Sequence, residues 1–237
     1  MSPTDPEPMH ATILVIDDEP QIRRVVRNAL TADAKVLEAS TGQEGIDIAA
    51  AQRPGLIVLD LGLPDVPGVS VCREIRRWST APIIVLSARH SDSEKVALLD
   101  AGADDYVTKP FSTVEFQARV RAQLRRTRMS EPPSSRGPLA VGTLQIDTAR
   151  RTVSRRGEPI HLTPTEWDLL RAFVKHSGRT LTHPQIFREV WGHAAGDAQS
   201  YLRVHIANLR RKIEEDSLRP ALIITEPGVG YRFNADP

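Results

Sequence analysis

A chain of 237 residues, 40% of them apolar, is too long for one small domain and suits two of roughly 100–120 residues each. A net charge of +1 does not announce a polyanion partner, and a single cysteine excludes an intramolecular disulfide. No apolar run reaches the roughly 18–20 residues that cross a bilayer.

The charge is unevenly spread. Residues 1–128 carry 16 basic and 18 acidic side chains, and residues 129–237 carry 15 and 12, with five of the seven histidines. A mildly acidic front and a basic back suggest two jobs. The opening "MSPTDPEPMH", residues 1–10, has prolines and acids where a signal peptide has a basic stretch and an apolar core. It predicts a disordered N-terminus on a cytoplasmic protein with no membrane partner.

Five strand–helix units follow. "ATILVI" is an apolar strand ending in Asp17 and Asp18, and "PQIRRVVRNAL" places Ile22, Val25, Val26, Ala29 and Leu30 on one helix face. "AKVLEAS" is the second strand, and "TGQEGIDIAAAQ" the second helix, stopped by Pro54. "GLIVLD" is a strand buried on both faces, followed by the helix "VSVCREIRRW", in which Cys72 is expected as a half-buried thiol without redox work. "APIIVLSA" is the fourth strand, and "SDSEKVALLDAG" a helix closed by Gly102. "DDYVTKPF" is the fifth strand, and "STVEFQARVRAQLRR" a helix capped by Ser112 or Thr113 with Glu115 near N3. Such alternation predicts an open, parallel, doubly wound sheet with helices on both faces.

In that architecture sites form at the carboxyl ends of strands. Asp17 and Asp18 end strand one, Asp60 strand three, Ser87 strand four and Lys109 strand five. One rim therefore gathers three carboxylates, a hydroxyl and an ammonium. Crowded carboxylates repel unless a cation intervenes, and hard oxygen donors suit Mg²⁺. A carboxylate is also a competent nucleophile toward phosphorus, with the metal and Lys109 stabilising the developing charge. Asp60, standing between the paired acids and the lysine, is the best candidate.

"RRTRMSEPPSSRGP", residues 125–138, has no periodicity and reads as a linker. Beyond it "LAVGTLQID", "RRTVSRRG" and "EPIHL" predict short antiparallel strands. "LTPTEWDLLRAFVKHSG" carries a cap at Thr163, Pro164 at N1, Glu166 at N3 and Gly178 as the stop. "THPQIFREVWG" is a short helix, "DAQSYLRVHIANLRRKIEED" a longer one, and "PALIITEPGVGYRF" a hairpin. On the longer helix Leu202, Ile206, Leu209 and Ile213 form a core stripe. Arg203, Asn208, Arg210, Arg211 and Lys212 lie largely off it. Two helices, a basic helix and a hairpin match helix-turn-helix docking in a major groove, where Arg and Asn suit guanine and adenine edges.

"DDE" after strand one, "LDLGLPDVPG", "SAR" and "DDYVTKPF" together resemble the receiver domain of bacterial two-component response regulators over residues 11–128. The resemblance implies that Asp60 accepts a phosphoryl group from a phosphohistidine on a sensor histidine kinase. It assigns Mg²⁺ to Asp17, Asp18, Asp60 and the backbone carbonyl of Gly62, and phosphoryl contacts to Ser87 and Lys109. Tyr106 matches the switch aromatic that turns inward when Ser87 moves to the phosphate, and Lys109–Pro110 matches a cis peptide.

"LTPTEWDLL", "VHIANLRRKIE" and "GVGYRF" make 139–235 similar to the winged-helix output domain of the OmpR/PhoB subfamily, after a linker at 129–138. That implies a recognition helix at 199–214 and a wing at 225–232. Tyr201, Arg203, His205, Asn208, Arg210 and Arg211 become candidates for double-stranded promoter DNA, and Thr225 for phosphate. Tyr231 and Arg232 are expected to be structural, and the wing arginine of many relatives is replaced by Pro227. Activated members pair through the fourth helix, fifth strand and fifth helix, which points to Lys95, Asp100, Asp104, Asp105, Glu115, Arg119 and Arg121 as a homodimer surface. A dimer would place two output domains on two half-sites and act on RNA polymerase. Within the subfamily, "RRWSTAPIIVLSAR" and "ALLDAGADDYVTKPF" look most like the branch that controls high-affinity potassium-uptake operons.

Two other readings compete. A Mg²⁺ phosphatase working through an aspartyl-phosphate normally spaces its acids D-x-D after strand one, whereas Asp17 and Asp18 are adjacent. A receiver with a protein- or RNA-binding output would lack the winged-helix signature.

Overall fold

The computed structural model describes residues 11–31, 34–88, 97–128, 138–192 and 198–235, with backbone alone at 125–128 and 198–200. The expected tail at 1–10 and residues 129–137 of the expected linker lie outside the described residues, and the linker reading is corrected at 125–128, which continue the helix that begins at Thr113. The chain divides into two compact units, Met1–Leu124 and Arg125–Pro237.

The first unit runs β1 (Ala11–Ile16), α1 (Pro20–Leu30), β2 (Ala34–Ala39), α2 (Gly42–Gln52), β3 (Leu56–Asp60), α3 (Gly68–Arg76) and β4 (Ile83–Ser87). The helix α4, described over 97–100, then leads to β5 (Asp105–Thr108) and α5 (Thr113–Arg128). The sheet is parallel throughout, in the order β2-β1-β3-β4-β5. Every residue of β3 and β4 is buried, which explains their near-continuous apolar composition. The pleat sends Ile13, Val15, Leu56, Val58, Ile84 and Leu86 to one face, where Val26 of α1 and Phe116 and Val120 of α5 cover them. Leu14, Ile16, Ile57 and Leu59 alternate with them and are buried as well. The order reverses between β1 and β3, which sets the ends of those two strands side by side.

Three local expectations are corrected. Val25 is 43% exposed, because the buried arc of α1 is narrower than its apolar set. The second helix ends before Pro54, on Arg53 in the left-handed region at φ 45°, whose N–H donates to the Ala49 carbonyl. Cys72 is fully buried, not half-buried, and its Sγ lies 3.5 Å from the Ala101 carbonyl. The expected cis peptide is present at Lys109–Pro110.

The second unit opens with the antiparallel sheet β6 (Leu139–Val141), β7 (Leu144–Asp147), β8 (Thr152–Arg155) and β9 (Glu158–Pro159). Of "EPIHL" only the first two residues are strand. Next come α6 (Pro164–Lys175), β10 (Thr180–Thr182), α7 (His183–Trp191), α8 (Ala198–Ile213), β11 (Ile223–Glu226) and β12 (Gly230–Phe233). The hairpin gains a third strand that the sequence did not suggest, in the order β10-β12-β11. Thr163 with Glu166, and Thr182 with Gln185, form capping boxes that start α6 and α7. The stripe Leu202, Ile206, Leu209 and Ile213 is fully buried, as its spacing predicts.

Candidate functional site: an acidic rim and a basic helix

Parallel register carries the rim residues to one edge of the sheet. Ile16 pairs with Leu59, so Asp17 and Asp60 follow on neighbouring strands; Asp60 pairs with Leu86, so Ser87 comes one residue further on the next. Lys109, one residue beyond β5, reaches back across the edge. Its Nζ lies 2.7 Å from Asp60 Oδ1, 2.9 Å from Asp17 Oδ2 and 3.2 Å from Glu19 Oε1. Burial opposes the charge on Lys109, yet the hydrogen bonds to Asp60 and Asp17 hold its ammonium well above the ordinary lysine range. Burial pushes the Asp17 carboxyl up, while Lys109 and the Glu19 N–H, 2.9 Å from Oδ1, pull it back.

Four carboxylates, those of Asp17, Asp18, Glu19 and Asp60, share this rim with one lysine. The set is all hard oxygen and carries more negative charge than Lys109 neutralises, which suits a divalent cation such as Mg²⁺. Among the described residues no three acidic, histidine or cysteine side chains are drawn together as a finished cage. Asp17 and Asp60 are brought together by Lys109, whereas Asp18 stands exposed beside them.

The remaining receiver expectations fall as follows. Gly62 N donates to Asp60 Oδ2 at 2.5 Å. At Gly68 a Cβ would lie 2.4 Å from the Asp60 carbonyl oxygen, so only glycine lets α3 start this close to the end of β3. Ser87 is buried, its carbonyl accepts from Lys109 N at 2.7 Å, and Tyr106 is half-buried on β5. Sequence reasoning missed two residues here. Arg23 Nη1 donates to the carbonyls of Asp17 and Asp18 at 2.7 and 3.1 Å, holding the loop after β1. Asp65 Oδ1 and Oδ2 accept from Gly42 N and Gln43 N at 2.8 and 2.9 Å, tying the loop after β3 to α2. An acid between two prolines was the sole signal for it.

The expected pairing surface is corrected in part. Asp104 is fully buried, accepting from Arg76 and, at 3.0 Å, from Ile83 N, so it anchors β5 internally. Asp105 is buried against Arg119, whose Nη1 and Nη2 reach Asp105 Oδ1 and Glu115 Oε1 at 3.0 and 2.8 Å. Asp100 and Arg121 are exposed, and Lys95 lies outside the described residues.

The output helix is corrected more strongly. Tyr201, His205 and Asn208 are only 8, 2 and 7% exposed, so they are not available to touch DNA. Tyr201 and His205 pack their rings with Trp191, centroids 5.2 and 5.5 Å away, because the end of α7 lies against this row of α8. Asn208 Oδ1 accepts from Arg211. Arg210 is half-buried: its Nη2 donates to Thr225 Oγ1 at 2.8 Å and its guanidinium stands 5.7 Å from the Tyr231 ring centroid. Arg210 and Thr225 thus fasten the helix to the wing strand. Arg232 likewise pairs with Glu226 at 2.9 Å. Among the described side chains of α8, those turned outward are Arg203, Ala207 and Arg211, at i, i+4 and i+8.

A doubly wound sheet with a lysine-bridged aspartate, followed by a winged helix with an arginine-bearing outward face, defines the class. Residues 13–121 match the response regulator receiver domain, and residues 157–233 the transcriptional regulatory protein C-terminal domain. The chain belongs to the two-component response regulators of the OmpR/PhoB type, whose members are partnered by histidine kinases and bind promoter DNA. It is 46% identical to the KDP operon transcriptional regulatory protein KdpE of Escherichia coli (strain K12), over 93% of this chain and 98% of that protein. It is equally 46% identical to the transcriptional regulatory protein KdpE of Mycobacterium tuberculosis (strain H37Rv), over 94% and 99%. Among solved structures it is similar to a mutant of RitR, at 26% identity and a TM-score of 0.77 over 94% of this chain and 98% of that one. It is also similar to the Thermotoga maritima OmpR/PhoB homologue DrrB, at 32% and 0.52 over 95% and 100%. No described helix is long and apolar enough to cross a membrane.

Proposed function

We propose that the chain is a phosphorylation-activated transcription factor in which Asp60 takes its phosphoryl group from a KdpD-like sensor histidine kinase. The observation that carries this reading is Lys109 Nζ, held 2.7 Å from Asp60 Oδ1 on the rim of the sheet. A bond forms between an Asp60 carboxylate oxygen and phosphorus while the phosphorus–nitrogen bond of the phosphohistidine breaks, and the electron pair stays on the imidazole. Lys109 and Ser87 bind the phosphoryl oxygens, so charge that develops there meets a preplaced donor set. Asp17, Asp18, Asp60 and the Gly62 carbonyl would hold Mg²⁺. When bound, that ion neutralises phosphoryl charge.

Ser87 engaging the phosphate leaves room for Tyr106 to turn inward. The face formed by α4, β5 and α5 then pairs two copies, with Asp100, Glu115, Arg119 and Arg121 at its edge. Two output units, each joined to residues 11–128 through 129–138 and spanning 139–235, would bind two half-sites together and act on RNA polymerase in the cytoplasm. The match to two KdpE proteins supports a high-affinity potassium-transport operon as the target. Phosphatase turnover is not proposed, since Asp17 and Asp18 lack the D-x-D spacing.

The test compares wild type and Asp60→Ala on duplex DNA from the chain's own upstream region. Each is measured with and without acetyl phosphate plus Mg²⁺, at fixed salt. Tightening of the wild type alone supports the switch and its site. Equal binding by both proteins under every condition removes Asp60 from control of the output.

A further inference from the structure

The loop from Leu61 to Pro67 carries the acceptor's neighbour Gly62, and one side chain in it reaches another element. Asp65 spans 22 and 23 residues back to bind the first two N–H groups of α2, those of Gly42 and Gln43. These N–H groups hold the Asp65 carboxyl below the usual carboxylate range, with Gln43 the stronger. The third N–H, Glu44 N, already has Thr41 Oγ1 at 3.3 Å, and Glu44 returns the bond to Ser40 N at 2.8 Å. The fourth, Gly45 N, bonds the Thr41 carbonyl. The Thr41 cap therefore starts α2 without Asp65, and any helix N-terminus can be left to water at its first two donors. What Asp65 adds is a two-point fastening of the acceptor loop to the body of the domain. The seat is tight, because a Cβ on Gly42 would lie 2.8 Å from Val71 Cγ2 and 3.3 Å from Asp65 Oδ1.

We infer that Asp65 is a positioning residue for phosphorylation: by clamping the loop to α2 it fixes Gly62 beside Asp60, and with it the oxygen set that receives the cation. The inference rests on the reading of Asp60 as acceptor and Gly62 as a Mg²⁺ ligand. Asp65 touches no reacting atom. It acts through the loop, as residues behind metal ligands commonly do.

The experiment uses the full chain and three variants, Asp65→Ala, Asp65→Asn and Thr41→Ala. Mg²⁺ binding is measured by calorimetry and by the shift of the Gly62 amide in NMR. The Mg²⁺ concentration for half-maximal phosphorylation by acetyl phosphate is measured beside it. Asp65→Ala is expected to weaken Mg²⁺ binding roughly tenfold and to raise the half-maximal Mg²⁺ by a similar factor. Its rate at saturating Mg²⁺ should change less. Asp65→Asn keeps one acceptor oxygen and should fall between. Thr41→Ala removes the local cap, lowers thermal stability, and should bind Mg²⁺ as the wild type does. The inference is overturned if Asp65→Ala stays within about twofold of wild type, below the usual cost of losing such support. It is equally overturned if Thr41→Ala reproduces the loss, because helix stability would then explain it. A wild type that neither binds Mg²⁺ nor is phosphorylated at Asp60 overturns the underlying reading as well.

Discussion

Lys109 Nζ lies 2.7 Å from Asp60 Oδ1, so the candidate acceptor of β3 is already paired with a cation supplied from the far end of β5. The same ammonium holds Asp17, whose side chain is fully buried. Removing it strands two carboxylates. Lys109→Ala is therefore expected to slow phosphorylation by acetyl phosphate by roughly 10²–10³, the cost of one preorganised donor to developing charge. Stopped-flow or gel-shift measurement of phosphorylated protein against time, at saturating Mg²⁺, checks it. Lys109→Arg keeps the charge but not the compact ammonium and should rescue only part of the rate. Wild-type kinetics in Lys109→Ala would remove the lysine from the transfer.

The outward row of α8 makes a second prediction. Arg203→Ala and Arg211→Ala are each expected to weaken specific binding by about 1–3 kcal/mol, with the melting temperature nearly unchanged in Arg203→Ala and modestly lowered in Arg211→Ala, which takes a donor from buried Asn208. His205→Ala should do the reverse, because it opens a hole beside Trp191 and Tyr201. Asn208→Ala should do some of each, since Asn208 is buried and accepts from Arg211. Fluorescence anisotropy on the upstream duplex, paired with thermal melts, separates the classes. A His205→Ala protein that melts normally but loses DNA would return that residue to the interface.

What the sequence made legible follows from which forces are periodic. Alternating strands and helices, the parallel sheet and the rim of Asp17, Asp18, Asp60, Ser87 and Lys109 were visible because strand ends in such sheets share one edge. Which residues of α8 face out was not. The apolar stripe marks the centre of the buried arc but not its width: Phe187 and Trp191 of α7 extend that arc over Tyr201 and His205, and Asn208 is buried as well. Asp104 and Asp105 misled for the same reason: adjacent acids look solvated until Arg76 and Arg119 are placed against them. Asp65 and β10 depend on pairings across 22 or more residues, for which no local pattern exists.

Glu166 makes a third prediction. Its Oε2 accepts from Thr163 N at 2.7 Å and from Lys212 Nζ at 2.6 Å, so one buried carboxylate caps α6 and anchors α8. Glu166→Gln keeps the cap's shape and loses the ion pair, while Glu166→Ala loses both. The Lys212 end is about a third exposed, so the pair itself is worth little more than a surface bridge. We expect a cost of roughly 1 kcal/mol for Glu166→Gln and about 2–3 kcal/mol for Glu166→Ala, mainly from the lost cap and the emptied buried site. Urea unfolding followed by tryptophan fluorescence in a Trp78→Phe background reports on this unit through Trp167 and Trp191. Equal losses in both variants would assign the stability to the charge and not to the cap.

Cys72 makes the last. Burial pushes its thiol up to about 11, and Asp104 adds to the effect while Arg76 opposes it. Because the folded value lies above the unfolded one, the folded chain holds this proton more tightly. The stability tied to it is complete below about pH 9 and declines as pH rises toward 11. Two outcomes follow. Iodoacetamide should label native Cys72 slowly throughout pH 7–9 and rapidly once urea opens the unit, since the thiolate is the nucleophile and α3 covers it. The stability advantage of wild type over Cys72→Ala should also narrow between pH 9 and 10.5. Fast labelling of the folded chain at pH 8 would mean that α3 opens locally, and the loss would then appear in hydrogen exchange along Gly68–Arg76.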